Sequence, residues 1–138
     1  MEKRVSARGI IIENDTVVLM FRRKITDGGN VKEYYVVPGG GVEQDENLEE
    51  AVLREIKEEL NVDVKILGYL GKDEADTSIS HFFHCEIING IPALSGEELQ
   101  RHNHNNYYEI RYVKIEDIDY YDVSSKEMIK KALKKQYA

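Results

Sequence analysis

The stretch GGGVEQDENLEEAVLREIKEELNV, Gly39 to Val62, constrains this chain more than any other. Asn47 followed three residues later by Glu50 has the form of a capping box, and Glu46, Glu49 and Glu50 suit the positive end of a helix dipole. The spacing predicts a helix from Leu48 to Leu60, closed by Asn61 in the left-handed conformation usually given to glycine. At about 100° per residue, Leu48, Ala51, Val52, Ile56 and Leu60 form one apolar stripe. Glu59 falls between Leu48 and Val52 and Glu55 between Leu48 and Ala51, both inside that stripe, and Glu58 lies just outside Ala51 on its edge. Carboxylates at i, i+3 and i+4 repel each other, and burying them unpaired costs more. Something positive must sit among them. With 19 Lys and Arg against 26 Asp and Glu, the chain is poorly supplied with cations. Hard divalent ions such as Mg²⁺ take oxygen ligands and keep positions for water and phosphate. Three glycines directly before the helix, Gly39 to Gly41, let bare backbone approach such a site closely.

The rest of the chain supplies one domain around this helix. At 138 residues there is enough chain for one core, so residues 1–138 are expected to form a single domain. RVSARGIIIE and TVVLMFRR read as strands joined at the Asn14–Asp15 turn, and YYVVP as a third strand. VDVKILGYLGK, SISHFFHCEII and YYEIRYVKI read as later strands, with NGIPALSGEELQRHNHNN as a polar loop between the last two. A closing helix is predicted in SSKEMIKKALKKQYA, with a serine before it as its cap. Strands, helix, strands and helix in that order imply an α/β (α+β) domain layered on a mixed sheet.

Composition narrows the partners. A net charge of −7 argues against nonspecific binding to nucleic acid or anionic membrane, yet permits a phosphorylated small molecule if cations bridge the two. No apolar run approaches the roughly 20 residues needed to cross a bilayer, and MEKRVSARGIII lacks the pattern of a signal peptide, so no membrane role and a cytoplasmic location are expected. The single cysteine, Cys85, lies in a strand-like segment and reads as a buried thiol without a chemical role.

Gly40, Glu46, Arg54, Glu55, Ile56, Glu58, Glu59 and Val62 stand in the register of the Nudix signature, with Asn61 replacing its final glycine. The chain therefore resembles the Nudix hydrolases. The resemblance implies an α/β/α sandwich around a mixed sheet and hydrolysis of a diphosphate linkage, in a nucleoside diphosphate-X or a nucleoside triphosphate, by water attack at phosphorus with Mg²⁺ or Mn²⁺. It makes Glu58 and Glu59 the main metal ligands, Glu55 a further ligand or the base, and the Gly39 carbonyl a ligand. Arg54 orients a carboxylate and Glu46 is structural. Outside the signature, Glu98 is a candidate base, and Arg22, Arg23 and Arg101 are candidate phosphate contacts, with Lys24 behind them. Strand alternation sends Arg22 and Arg23 to opposite faces, so at most one of that pair should reach the site. Tyr34, Tyr107 and Tyr108 are candidates for stacking on a base. His81, His84, His102 and His104 lack metal-ligand spacing and read as ordinary strand or loop residues. The implied partner is a nucleotide or nucleotide-linked metabolite; a homodimer is left open. Two alternatives stand beside this reading: a nucleotide-binding regulatory domain without turnover, and an RNA 5′-end pyrophosphohydrolase, against which the acidic balance weighs.

Overall fold

The computed structural model describes residues 2–96, 99 and 102–138. Along the chain come β1 (Arg4–Glu13), β2 (Thr16–Ile25), β3 (Val31–Val36), β4 (Gly39–Gly41), α1 (Leu48–Leu60), β5 (Asp63–Glu74), β6 (Ser78–Asn89), β7 (Asn106–Lys114), a 3-10 turn (Ile115–Tyr120) and α2 (Lys126–Leu133). The strands form a mixed sheet. β1 runs parallel to β6 from Arg4↔Ser78 to Ile11↔Cys85, and β5 extends that half antiparallel to β6. The end of β1 turns through Asn14, at φ 57°, into β2. β2 in turn pairs antiparallel with β3 on one side and β7 on the other.

The segments Gly9–Ile12 of β1 and Val17–Phe21 of β2 are apolar on both faces because helices cover both. On the α1 side, Ala7, Ile11, Val18 and Met20 pack with Ala51, Val52, Ile56 and Leu60. On the α2 side, Ile10, Val17, Leu19 and Phe21 pack with Met128, Ile129 and Ala132. The alternation along each strand is what sorts them. Fully burying one such side chain contributes about 1.5–3 kcal/mol, so the two clusters hold the layers together. α1 lies close on the sheet at Gly9, where a Cβ would stand 2.2 Å from Ile56 Cδ1. The α/β/α architecture and mixed sheet expected from the sequence are therefore present.

Three details differ from the sequence reading. The glycine run, given no element by the sequence, forms a strand: Gly39–Gly41 are β4, antiparallel to Ser6–Arg8 of β1. Ile115–Tyr120, which follows β7 directly, forms a 3-10 turn that no periodicity announced. Ser125 precedes α2 but does not cap it through its side chain. It adopts φ 63° and ψ 37°, and its hydroxyl donates instead to Asp73 Oδ2 at 2.8 Å. A capping hydroxyl works from an extended backbone, which Ser125 does not have.

Candidate active site

α1 is fixed at both ends. Asn47 Oδ1 accepts the Glu50 N–H at 2.8 Å, Glu50 Oε1 accepts the Asn47 N–H at 3.1 Å, and Asn61 closes the helix at φ 55°, ψ 40°. With Val52, Ile56 and Leu60 committed to the sheet, the helical repeat carries Glu59 inward until it is 9% exposed. There its Oε2 accepts the Gly39 N–H at 2.9 Å. The crowded carboxylates and the glycine run are thus bonded to each other. β4 passes so near the helix that a Cβ on Gly40 would lie 2.6 Å from the Glu55 carboxyl carbon.

Arg54 binds the outer edge. Its Nε and Nη2 donate to the two oxygens of Glu46 at 2.7 and 2.8 Å, in the bidentate fork that suits a guanidinium and a carboxylate. Nη1 donates to Glu55 Oε1 at 2.9 Å and to Glu58 Oε2 at 3.3 Å, while Nη2 also reaches Gly41 O at 3.0 Å. One cation therefore offsets repulsion among three carboxylates and ties the helix to β4. The hydrogen bonds from Glu46 raise the Arg54 pKa above its ordinary value despite partial burial. Conversely Arg54, and then the Glu43 N–H, hold the Glu46 carboxyl down to about 2 from the usual 4.5.

The sign of that shift gives a test. A carboxyl depressed in the folded state contributes stability above its unfolded value, and this is lost as the pH falls through the folded value. Glu46→Gln is therefore expected to flatten the acid limb of the stability profile between pH 4.5 and about 2. Urea unfolding across that range measures it, and a Glu46 carboxyl titrating near 4.5 by NMR would contradict the pairing.

Behind this edge a cleft of about 340 Å³ opens between β4 and the β2–β3 side of the sheet. Glu55 and Glu59 form one wall together with the glycine strand, and Arg4, Arg8 and Arg22 form much of the remainder. Glu58 does not line the cleft, and its side chain is 55% exposed. Arg22 is held by a 2.8 Å hydrogen bond to Tyr108 Oη, and its guanidinium lies 4.6 Å from the Tyr108 ring centre and 5.5 Å from that of Tyr34. Arg23 goes to the opposite face, where it covers the Tyr107 ring at 4.8 Å. Of the two neighbouring arginines the structure thus brings Arg22 and not Arg23 to the cleft, and alternation along β2 keeps them on opposite faces. Glu98 and Arg101 lie outside the described residues. His81 and His84 pair with Tyr69 and Tyr137, and His102 accepts the Tyr108 N–H. Arg4 and Arg8 were not singled out from the sequence: charged residues at strand positions read as exposed until β4 folds back over them.

Among the described residues, no three His, Cys, Asp or Glu side chains converge on one point as a ready cation cage. The physical reason is visible in the bonds above, with Glu59 turned to Gly39 and Glu55 and Glu58 turned to Arg54. The donors nevertheless fit a hard divalent ion in kind, being carboxylate oxygens beside a glycine strand that offers carbonyls. Binding requires these side chains to exchange their present partners.

A model of the Nudix domain matches residues 2–132. The chain belongs to the Nudix family. An ADP-ribose pyrophosphatase from Methanocaldococcus jannaschii is 38% identical over 86 residues, covering 58% of this chain and 49% of that protein. An RNA pyrophosphohydrolase from a Marinomonas species is 38% identical over 64 residues, covering 46% of this chain and 37% of that protein. These alignments span half or less of the curated relatives' own lengths. Among solved structures, a Nudix hydrolase from Nitrosomonas europaea superposes with a TM-score of 0.71 at 18% identity, covering 100% of this chain and 76% of that one. A Nudix-family hydrolase from Clostridium perfringens gives 0.69 at 15% identity, covering 99% of each. These two structures share the fold of this chain, and α1 with β4 is the signature segment here.

Proposed function

We propose that this Nudix domain is a Mg²⁺- or Mn²⁺-dependent hydrolase of a diphosphate linkage in a nucleoside diphosphate-X or nucleoside triphosphate. The observation that carries the reading is that the carboxylate edge of α1 and a set of arginines face one cleft, across a strand made of glycine. A divalent ion held by Glu55, Glu58, Glu59 and the Gly39 carbonyl would neutralise phosphate charge and acidify water. The chain's own residues do the rest. Arg54, forked on Glu46 and bonded to Gly41 O, holds the helix to β4 while Glu55 and Glu58 turn to the ion. Arg22, clamped by Tyr108, offers donors to phosphate oxygens. Glu55 serves either as a further ligand or as the proton acceptor for the attacking water, and Glu98 is the other candidate base. Gly40 lacks a side chain that would otherwise collide with Glu55.

The similarity to an ADP-ribose pyrophosphatase puts ADP-ribose first among the substrates to try. The test is phosphate, pyrophosphate or nucleotide release from ADP-ribose, nucleotide sugars, nucleoside triphosphates, dinucleoside polyphosphates and triphosphorylated RNA, with Mg²⁺ or Mn²⁺ and with a chelator. Turnover of one class that disappears with chelator is expected. Binding without turnover in every class would overturn the hydrolase reading in favour of a regulatory domain, and turnover confined to RNA would move the substrate to RNA ends.

A further inference from the structure

We propose that Arg8 is a substrate-binding residue whose guanidinium takes a phosphate oxygen of a diphosphate-bearing ligand in the cleft. The diphosphate identity rests on the function proposed above, whereas the placement of Arg8 rests on local geometry.

Arg8 stands opposite Gly39 in the antiparallel pairing of β1 with β4, and β4 approaches it closely: a Cβ on Gly39 would stand 2.7 Å from Arg8 Cγ. Its Nη1 donates to Val37 O at 2.9 Å, which fixes the side chain at the corner between β3 and β4. The residue borders the cleft and also a second cavity of about 220 Å³, so it stands at the partition between them. Burial disfavours the charged guanidinium, Glu59 and Glu55 favour it, and Arg4 on the same strand opposes it.

A structural role alone would make Arg8 the counterion of Glu59. The charge balance of the cleft points further. Arg4, Arg8 and Arg22 line it against Glu55 and Glu59, a local balance of +1 in a chain of net charge −7. Once the two carboxylates are committed to a divalent ion, three arginines remain facing the same space. A partly desolvated, anchored guanidinium with five donors matches a phosphate better than an ammonium does.

The test uses methylenediphosphonate, a diphosphate mimic that cannot be hydrolysed, titrated calorimetrically into the full chain with Mg²⁺. Loss of one charge-assisted contact predicts that Arg8→Gln weakens binding about tenfold to a hundredfold, and that Arg8→Lys weakens it less. Lys65→Gln makes the same change in net charge at a surface ion pair with Glu86 and is expected to bind as wild type does. Equal affinity in wild type, Arg8→Gln and Arg8→Lys, with unchanged circular dichroism, overturns the proposal, as does absence of binding to wild type. If Arg8→Gln does not fold, Arg8→Lys decides alone: wild-type affinity overturns the proposal and weakened binding supports it. A wild type that binds the mimic through Arg8 yet hydrolyses nothing leaves this inference standing while the hydrolase reading falls.

Discussion

Glu59→Gln is expected to lower metal-stimulated turnover by at least about a hundredfold, since a preorganised charge lost from a reaction centre costs about 2.7–4 kcal/mol of barrier. The fold should survive the change. A glutamine oxygen can still accept the Gly39 N–H that Glu59 Oε2 accepts at 2.9 Å, and the side chain keeps its volume beside Ile56 and Leu60. What disappears is the negative charge that faces Arg8 and that the proposed divalent ion would require. Steady-state kinetics at saturating Mg²⁺, with a thermal melt of the same preparation, separates the two effects. Glu58→Gln is expected to act in the same direction. Turnover of Glu59→Gln within threefold of wild type would remove Glu59 from the metal-holding set.

The second large effect is on stability. Gly39 has φ 148°, and a Cβ there would lie 2.3 Å from Ala7 O and 2.6 Å from Arg8 Cα. Both are backbone atoms of the strand it pairs with, so no rotamer change relieves the clash. Backbone strain of about 1–3 kcal/mol adds to an overpacking cost of similar size, and Gly39→Ala is expected to destabilise the fold by about 3–5 kcal/mol. Gly40→Ala offers the contrast, because its Cβ would meet the movable Glu55 carboxylate; it should disturb activity more than stability. Urea unfolding of both variants checks this, and a Gly39→Ala midpoint equal to that of wild type would show that β4 can shift away from β1.

These two positions also show what the sequence makes legible. The ends of α1, the inward placement of Glu59 and the left-handed Asn61 all follow from local spacing, because helix geometry relates residues only a few positions apart. Alternation along β2 likewise required Arg22 and Arg23 to part company. Which of them faces the cleft was not readable, since that depends on how β2 lies relative to α1, far away in sequence. Arg8 was missed for the same reason: only the return of β4 across Ser6–Arg8 turns an arginine between alanine and glycine into part of a cavity. The cap at Ser125 failed because a tertiary partner, Asp73, displaced a local preference.

Cys85 has a practical consequence. Burial pushes its thiol up to about 12, and it packs in the α1-side cluster, so at neutral pH the folded chain presents almost no thiolate to a disulfide reagent. It is also the chain's one cysteine, so each molecule that opens can be counted by a single chromophore release. Labelling with a coloured aromatic disulfide is therefore expected to run at the rate of opening, which makes the native protein its own clock for comparing Gly39→Ala, Glu46→Gln and Arg8→Gln without adding a probe. Immediate stoichiometric labelling of the folded wild type would show that the thiol is reachable without opening.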